Sequence, residues 1–455
     1  MEIFSHYAFW VLFCIILVGI GIFLFFYFQK QKQQQQVEAA LLAREEGVAQ
    51  KQLLENYLTA LRGKDPHFSR ISFLDFVKSL YFKFYLFQGE KYFVQLRPFL
   101  SDFLLQEELD KIKTGLGHKH VQISIAALHI TAIEVNEQRD KVVVEIDAAY
   151  TRYQTQPPHL EQDCVTRERW TLERKAKVKS LSADFLQELL CPYCKKTGLF
   201  DENGTCTYCE TEVIAGEGQW FLADREAIFE AEIKPDVFVN FATAYGLQIP
   251  TLVHPQISDQ KAKFLARHQL NRWESYWQSY QERIILPYFE QVYEAWRTYE
   301  WGNARHLVGD RLYEVSQFWL KSYQKRGVES QLLDPQITKI ELAKVEMDAY
   351  YEVLTARIFI SCFEFVSSLK EQKVLKGSKT KRHHFSEYWT FVRKHGVHAN
   401  SQKDLAYDIK TCPNCQKNAD KMGKNAQCGY CGQKVNLGDY FWVLQNIEQD
   451  ETYIG

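Results

Sequence analysis

Cys191-Pro192-Tyr193-Cys194 and Cys206-Thr207-Tyr208-Cys209, followed by Gly216, Trp220, Phe221 and Leu222, recur downstream in the same order. The second copy runs Cys412-Pro413-Asn414-Cys415 and Cys428-Gly429-Tyr430-Cys431, then Gly438, Trp442, Val443 and Leu444. Eleven residues separate the two CxxC pairs in the first copy and twelve in the second, and from the later pair to the closing leucine the copies keep a constant offset of 222 residues. The chain therefore carries one cassette twice, half a length apart. Each CxxC turn directs two sulfurs and several backbone N–H groups toward one point, so each cassette predicts a tetrahedral metal held by four thiolates. Zn²⁺ suits that donor set, one ion for Cys191, Cys194, Cys206 and Cys209 and one for Cys412, Cys415, Cys428 and Cys431. Four sulfurs leave no position for a reacting water, so both ions are expected to be structural. Pairs of disulfides and redox-active CxxC turns are the alternatives. The short gaps predict compact ribbons, with a tight hairpin at Asn203-Gly204 in the first. Cys14, Cys164 and Cys362 lie outside the pattern and suit packing.

Immediately upstream of each cassette, Trp170-Thr171-Leu172-Glu173-Arg174-Lys175 is echoed by Trp389-Thr390-Phe391-Val392-Arg393-Lys394. Val121–Val135, Lys141–Tyr153 and Cys164–Val178 alternate with period two, as strands of a curved antiparallel sheet do, with a turn at Asn136–Asp140. Ile337–Met347, Tyr351–Val366 and Phe385–Arg393 do the same in the second half. Before each strand set the apolar period is helical. Phe73, Phe76, Val77, Leu80, Phe84 and Phe87 form one face, and Leu96, Phe99, Leu100, Phe103 and Leu104 a second helix. Trp273, Trp277, Ile284, Tyr288, Val292 and Trp296, then Val308, Leu312, Val315 and Trp319, are the counterparts. The aromatic stripe from Trp273 to Trp301 suits core packing, with a peptide or acyl groove as the sharper reading.

The 455 residues carry a formal charge of −2 and 31 Phe, 25 Tyr and 10 Trp. A near-neutral balance disfavours nucleic acid as a partner, and the aromatic load predicts bulky cores. Tyr7–Phe28 holds no charged side chain over 22 positions. At about 1.5 Å per residue it would span roughly 33 Å as a helix, the reach of a transmembrane anchor. Lys30 and Lys32 follow it, which predicts a single-pass membrane protein with its bulk in the reducing cytoplasm. Val37–Leu61 is an amphipathic connecting helix, broken at Gly63-Lys64-Asp65-Pro66. Lys370, Lys373, Lys376, Lys379, Lys381 and Arg382 form a basic run, a solvated loop or a contact for anionic lipid.

Two helices on a three-stranded curved sheet, twice, after an anchor, resemble the Tim44-like family, named for a scaffold of the mitochondrial import motor and including bacterial membrane-anchored members. The resemblance implies an α+β cone of the nuclear-transport-factor-two-like kind, a scaffolding role toward protein partners or lipid, and no catalytic residues. The expected order is anchor and polar flank 1–36, connecting helix 37–62, first domain 66–190, first ribbon 191–225, linker 226–265, second domain 266–411 and second ribbon 412–447. An enzyme would need an acid–base pair in the cone, and the candidates are His129, Glu134, Glu145, Asp147, Glu346 and Asp348. The two copies do not match there, because His129 aligns with Glu341, so a non-enzymatic scaffold is preferred. The alternatives are a module binding a hydrophobic small ligand or acyl chain in the cone, and a zinc-ribbon nucleic-acid binder.

Overall fold

The computed structural model describes residues 52–114, 118–154, 161–181, 189–197, 200–233, 247, 249–396, 411–418, 422–423, 425–436, 438–450 and 452–455. Helix α1 covers 52–64, and Leu58 and Leu61 bury its inner face. Helix α2 spans Arg70–Phe87. The Ser69 side chain accepts a hydrogen bond from the Ser72 N–H (3.2 Å), and Phe73, Phe76, Val77, Leu80, Tyr81 and Phe84 line one buried stripe at helical spacing. The second helix expected through Leu96–Leu104 is instead two elements. A 3₁₀ stretch, Lys91–Phe99, ends beside Pro98, and α3, Asp102–Lys113, starts afresh with Ser101 capping the Leu104 N–H. Phe103 consequently faces solvent.

Strands β1 (His118–Val135), β2 (Arg139–Gln154), β3 (Glu161–Lys175) and β4 (Phe221–Glu232) follow as a four-stranded antiparallel sheet in sequence order. The Asn136 side chain closes the β1–β2 turn by accepting from the N–H groups of Gln138 (2.9 Å) and Arg139 (2.8 Å). β4 comes after the first cysteine cassette and pairs with β3, so the chain returns to its sheet once the ribbon is made.

The second half repeats this plan. α4 (Ile257–His268), α5 (Trp273–Tyr280), a π turn (Gln281–Ile285), α6 (Leu286–Arg297) and α7 (Asp310–Lys325) precede a sheet ordered β5–β6–β8–β9. Its strands are Val328–Met347, Tyr351–Ser368, His383–Lys394 and Val443–Gln449, with the short β7 (Val374–Gly377) paired to the end of β6. Register shifts interrupt β1 and β5 at three places each, and such bulges bend a sheet toward its helices.

The halves are not separate beads. α7 packs on its own sheet and on β1 and β2 of the other. Ala149, Ile233 and Phe318 form a small shared core. Glu346 accepts from Arg62 (2.8 Å) and Arg70 (2.9 Å) and lies 3.1 Å from Lys344. Burial works to raise this carboxyl, but the three cations hold it well below the usual range.

The α+β expectation with an N-terminal transmembrane helix needs correction. The described residues form a mixed α/β protein with two antiparallel sheets, and no helix among them is long and apolar enough to cross a membrane. Their helices are short and amphipathic, burying one stripe against a sheet, which is the pattern of elements that pack on protein. Tyr7–Phe28 lies outside the described residues, as does the first part of the connecting helix.

Candidate metal centres and the residues that hold them

Among the described residues two cysteine groups bring their sulfurs within 4.8 Å of one another, Cys191, Cys194, Cys206 and Cys209, and Cys412, Cys415, Cys428 and Cys431. The Cys191–Cys209 and Cys194–Cys206 separations are 3.8 Å, and Cys412–Cys431 and Cys415–Cys428 are 3.9 and 3.7 Å. Four sulfurs set tetrahedrally about 2.3 Å from one ion lie about 3.8 Å apart. A disulfide would need about 2.05 Å. The donor set therefore fits a tetrahedral thiophilic metal and not a pair of disulfides.

Each CxxC turn is built the same way. The residue after the second cysteine takes positive φ, at Lys195, Glu210, Gln416 and Gly432. Its N–H returns to the carbonyl of the first cysteine at 2.8–3.0 Å. The hairpin expected at Asn203-Gly204 is present. Asp201 accepts from the N–H groups of Asn203 (2.9 Å) and Thr205 (2.8 Å), and Gly204 has φ +83°.

The thiols of a tetrad differ. Burial pushes Cys191 up to about 12 and Cys412 to about 11. Hydrogen bonds from Thr211 pull Cys209 down to about 6, and those from Asn414 and the Gln433 N–H do the same for Cys431. Thiolate is the form that binds a metal, so all four thiols of each tetrad would lose their protons on binding one.

Past the tetrad the ribbon is fixed to its sheet by three repeated contacts. The Lys175 N–H donates to the Gly216 carbonyl (2.8 Å), and the Lys394 N–H donates to that of Gly438 (2.8 Å). Both glycines have φ +78°, and a Cβ there would come within 2.7 Å of the Phe221 ring or 2.9 Å of the Arg393 Cα. Next, Arg174 lies over the Trp220 ring and Arg393 over that of Trp442, each at 4.4 Å. Arg174 donates to Asp65 (2.8 Å) and Asp140 (3.3 Å), and Arg393 donates to Glu352 (2.7 Å). Finally, Leu222 bridges Leu100 and Leu444 bridges Val308, each in parallel with the residue just before a helix N-cap, Ser101 or Gly309.

Within each sheet the echoed tryptophan is fully buried and bonded to a glutamate two residues earlier. The Nε1–H of Trp170 donates to Glu168 and that of Trp389 to Glu387, both at 3.0 Å. Tyr81 (3.0 Å) and Tyr85 also donate to Glu168, and Tyr293 (3.2 Å) donates to Glu387. Burial pushes the Glu387 carboxyl up to about 7 against those hydrogen bonds. Sequence reasoning missed these acids. The signal was two residues outside the quoted echo, where Glu168-Arg169-Trp170 parallels Glu387-Tyr388-Trp389.

The six acid–base candidates do not converge. Glu145 and Asp147 pair with Arg169 (2.8 Å) and Arg167 (2.6 Å) between neighbouring strands, and Glu134 lies 3.3 Å from Lys141. His129 approaches Glu448 (3.2 Å), Glu346 joins the halves, and Asp348 accepts from Ser69 Oγ (2.7 Å). In the basic run Arg382 bonds to Asp334 and to the Ser361 carbonyl (3.0 Å). The aromatic stripe is packed as core, with Tyr280 edge-on to Trp442 at 5.3 Å and Tyr293 stacked on Trp389 at 6.3 Å.

The class these observations define is a mixed α/β protein of two sheets, each closed by a strand that follows a four-cysteine cluster able to hold a metal. Residues 284–404 match the family described as Tim44-like domain. The match begins in the π turn before α6, takes in β5 to β8 and ends ahead of Cys412, so the second tetrad and β9 lie beyond it. A solved structure described as "Ntf2 like protein involved in plasmid conjugation" is similar over 67% of this chain and 88% of that chain, at 7% identity and a TM-score of 0.13, a likeness too slight to bear on the fold. No curated protein matches the chain.

Proposed function

We propose that the protein is a non-enzymatic scaffold that holds protein partners, with two tandem Tim44-like domains, each carrying a structural Zn²⁺ ribbon, working in a reducing compartment. The observation that carries this reading is the outward face of the first ribbon. Tyr193 and Tyr208 occupy the same place in their two CxxC turns and are 50% and 58% exposed. Tyr430 repeats this in the second ribbon, and Lys196 and Lys417 lie over Tyr208 and Tyr430 at 5.1 and 5.3 Å. Rigid, exposed tyrosines beside cations are the composition of a protein-docking surface. The family match over 284–404 supports the same role. The reading with an acyl chain inside a cone is less favoured, because buried aromatic side chains fill both interiors.

The test is photo-crosslinking in cells from a benzophenone amino acid placed at Tyr208 of the full chain. One discrete protein adduct, lost on Cys209→Ser and not formed from the exposed Leu375, is the expected result. Equal labelling from both positions, or none from Tyr208, would overturn the proposal.

A further inference from the structure

A cavity of about 150 Å³ lies between the halves, at the edge of the first core, whose Leu58, Leu128 and Ile130 line it. One wall is aliphatic, formed by Leu58, Leu74, Leu128, Ile130 and Val353 from α1, α2, β1 and β6. The other brings Arg311 from the first turn of α7 together with His129, Asn446 and Glu448, beside Glu55, Arg70, Lys344 and Glu346, whose charges are paired with one another.

Arg311 is 9% exposed, and its Nε has no hydrogen-bond partner. Burial works against its charge, and the acids that oppose this, Glu448 and Asp75, do so through space without an ion pair among the described residues. Neither is a full counter-ion. Glu448 makes no ion pair with it, its Oε1 lying 3.2 Å from His129 without a hydrogen bond, and burial pushes the Asp75 carboxyl toward its neutral form. A guanidinium does not shed its proton to escape burial, so one without an ion pair, in a cleft whose other cations Arg70 and Lys344 have theirs, is held at a cost until an anion meets it.

We propose that this cavity binds a small organic carboxylate, an aryl or short-chain acid, with its carboxylate on Arg311 and its apolar body against Leu128, Ile130 and Val353. The size agrees. A cavity of about 150 Å³ accepts a benzene ring, whereas about five waters in that space would lie against a wall that offers them no hydrogen bonds. The planar fork of Arg311 matches a carboxylate bidentately, which selects acids over alcohols of the same shape. Because α1, α2 and β1 come from one half and α7 and β6 from the other, the ligand clamps the two together. The site is independent of the ribbons and of the scaffold reading.

The experiment is calorimetric titration of the full, metal-loaded chain with benzoate and with benzyl alcohol, repeated on Arg311→Met and on Ile130→Phe, which fills the cavity. The expected result is saturable benzoate binding with Kd about 1 mM or tighter, at least tenfold stronger than benzyl alcohol. Arg311→Met should abolish the difference and Ile130→Phe should abolish both bindings. Benzoate bound no better than benzyl alcohol, benzoate binding unchanged in Arg311→Met, or no saturable binding of either would each overturn the proposal and leave a water-filled cleft. Should Arg311→Met fail to fold, the wild-type comparison and Ile130→Phe still decide.

Discussion

The guanidinium carbon of Arg393 lies 4.4 Å from the centre of the Trp442 ring, one residue from the end of β8 and one before the start of β9. The contact joins the last strand before the second tetrad to the first strand after it. A desolvated cation–π pair contributes about 2 kcal/mol. In a double-mutant cycle on thermal unfolding of the full chain, Arg393→Met and Trp442→Leu are expected to couple by roughly that amount. The same cycle at Arg174 and Trp220 should give a similar figure, since the distance is the same. Additive losses would show the rings and guanidinia to be independent packing.

Metal content should be two Zn²⁺ per chain by elemental analysis of protein purified reduced and without chelator, one for each tetrad. Cys428→Ser should lower it to one. Because β4 and β9 each pair with the strand ahead of their tetrad, chelation should lower the melting temperature of the whole chain. Structural zinc contributes about 10 kcal/mol or more in isolated peptides, of which a domain with its own core feels a part. A ribbon that loses metal with no change in melting would be an appendage.

Glu387 gives a pH signature. Its carboxyl titrates at about 7 in the fold against an ordinary value of 4.5, so the folded state keeps its proton longer. That contribution is present in full below the unfolded value and is lost as pH rises through the folded one. At about 1.4 kcal/mol per unit the loss is roughly 3 kcal/mol between pH 4.5 and 7. Glu387→Gln keeps an acceptor for Trp389 and Tyr293 and removes the titration. The variant-minus-wild-type stability difference should therefore grow in the variant's favour from pH 5 to pH 8, measured by denaturant unfolding. A flat difference would mean that Glu387 stays ionised.

Glu346 tests whether the halves unfold together. It is 4% exposed and holds Arg62, Arg70 and Lys344. Glu346→Gln leaves Arg62 and Lys344 without their carboxylate while Arg70 keeps Glu55 (2.7 Å), and breaking a buried pair by removing one partner costs about 3–5 kcal/mol. Scanning calorimetry of the wild-type chain should show one transition, and Glu346→Gln two. A single shifted transition would place the coupling elsewhere, in α7 and the Ala149–Ile233–Phe318 core.

Much of the local structure was legible. Period-two alternation located β1–β3, β5, β6 and β8 to within a few residues, save that β5 begins nine residues before the expected Ile337. The cassette marked both tetrads. What escaped depends on partners distant in sequence. β4 looks polar after Leu222 because its outer side is solvated along its length, so only pairing with β3 makes it a strand. Pro98 and the Ser101 cap split one apolar run into two elements, a local effect that periodicity overrides. Glu168 and Glu387 occupy positions that alternation assigns to a half-solvated face. They are buried because tyrosines from α2 and α6 reach across to them. The Arg311 cavity belongs to neither half alone, and nothing in one copy of the repeat foretells it.

The position of β4 and β9 behind the metal sites bears on what becomes of a chain starved of zinc. The first strands of each sheet precede its tetrad in the chain, whereas the closing strand follows the tetrad and pairs at the sheet's edge, so a tetrad left unfolded would delay that pairing. Until then β3 and β8 present bare N–H and C=O groups beside Trp170 and Trp389, and an open apolar edge is a template for another chain. If the tetrads hold zinc as proposed, metal supply would act as a solubility checkpoint during synthesis. A deficient cell would accumulate these proteins as aggregates with paired edges rather than as loosened monomers.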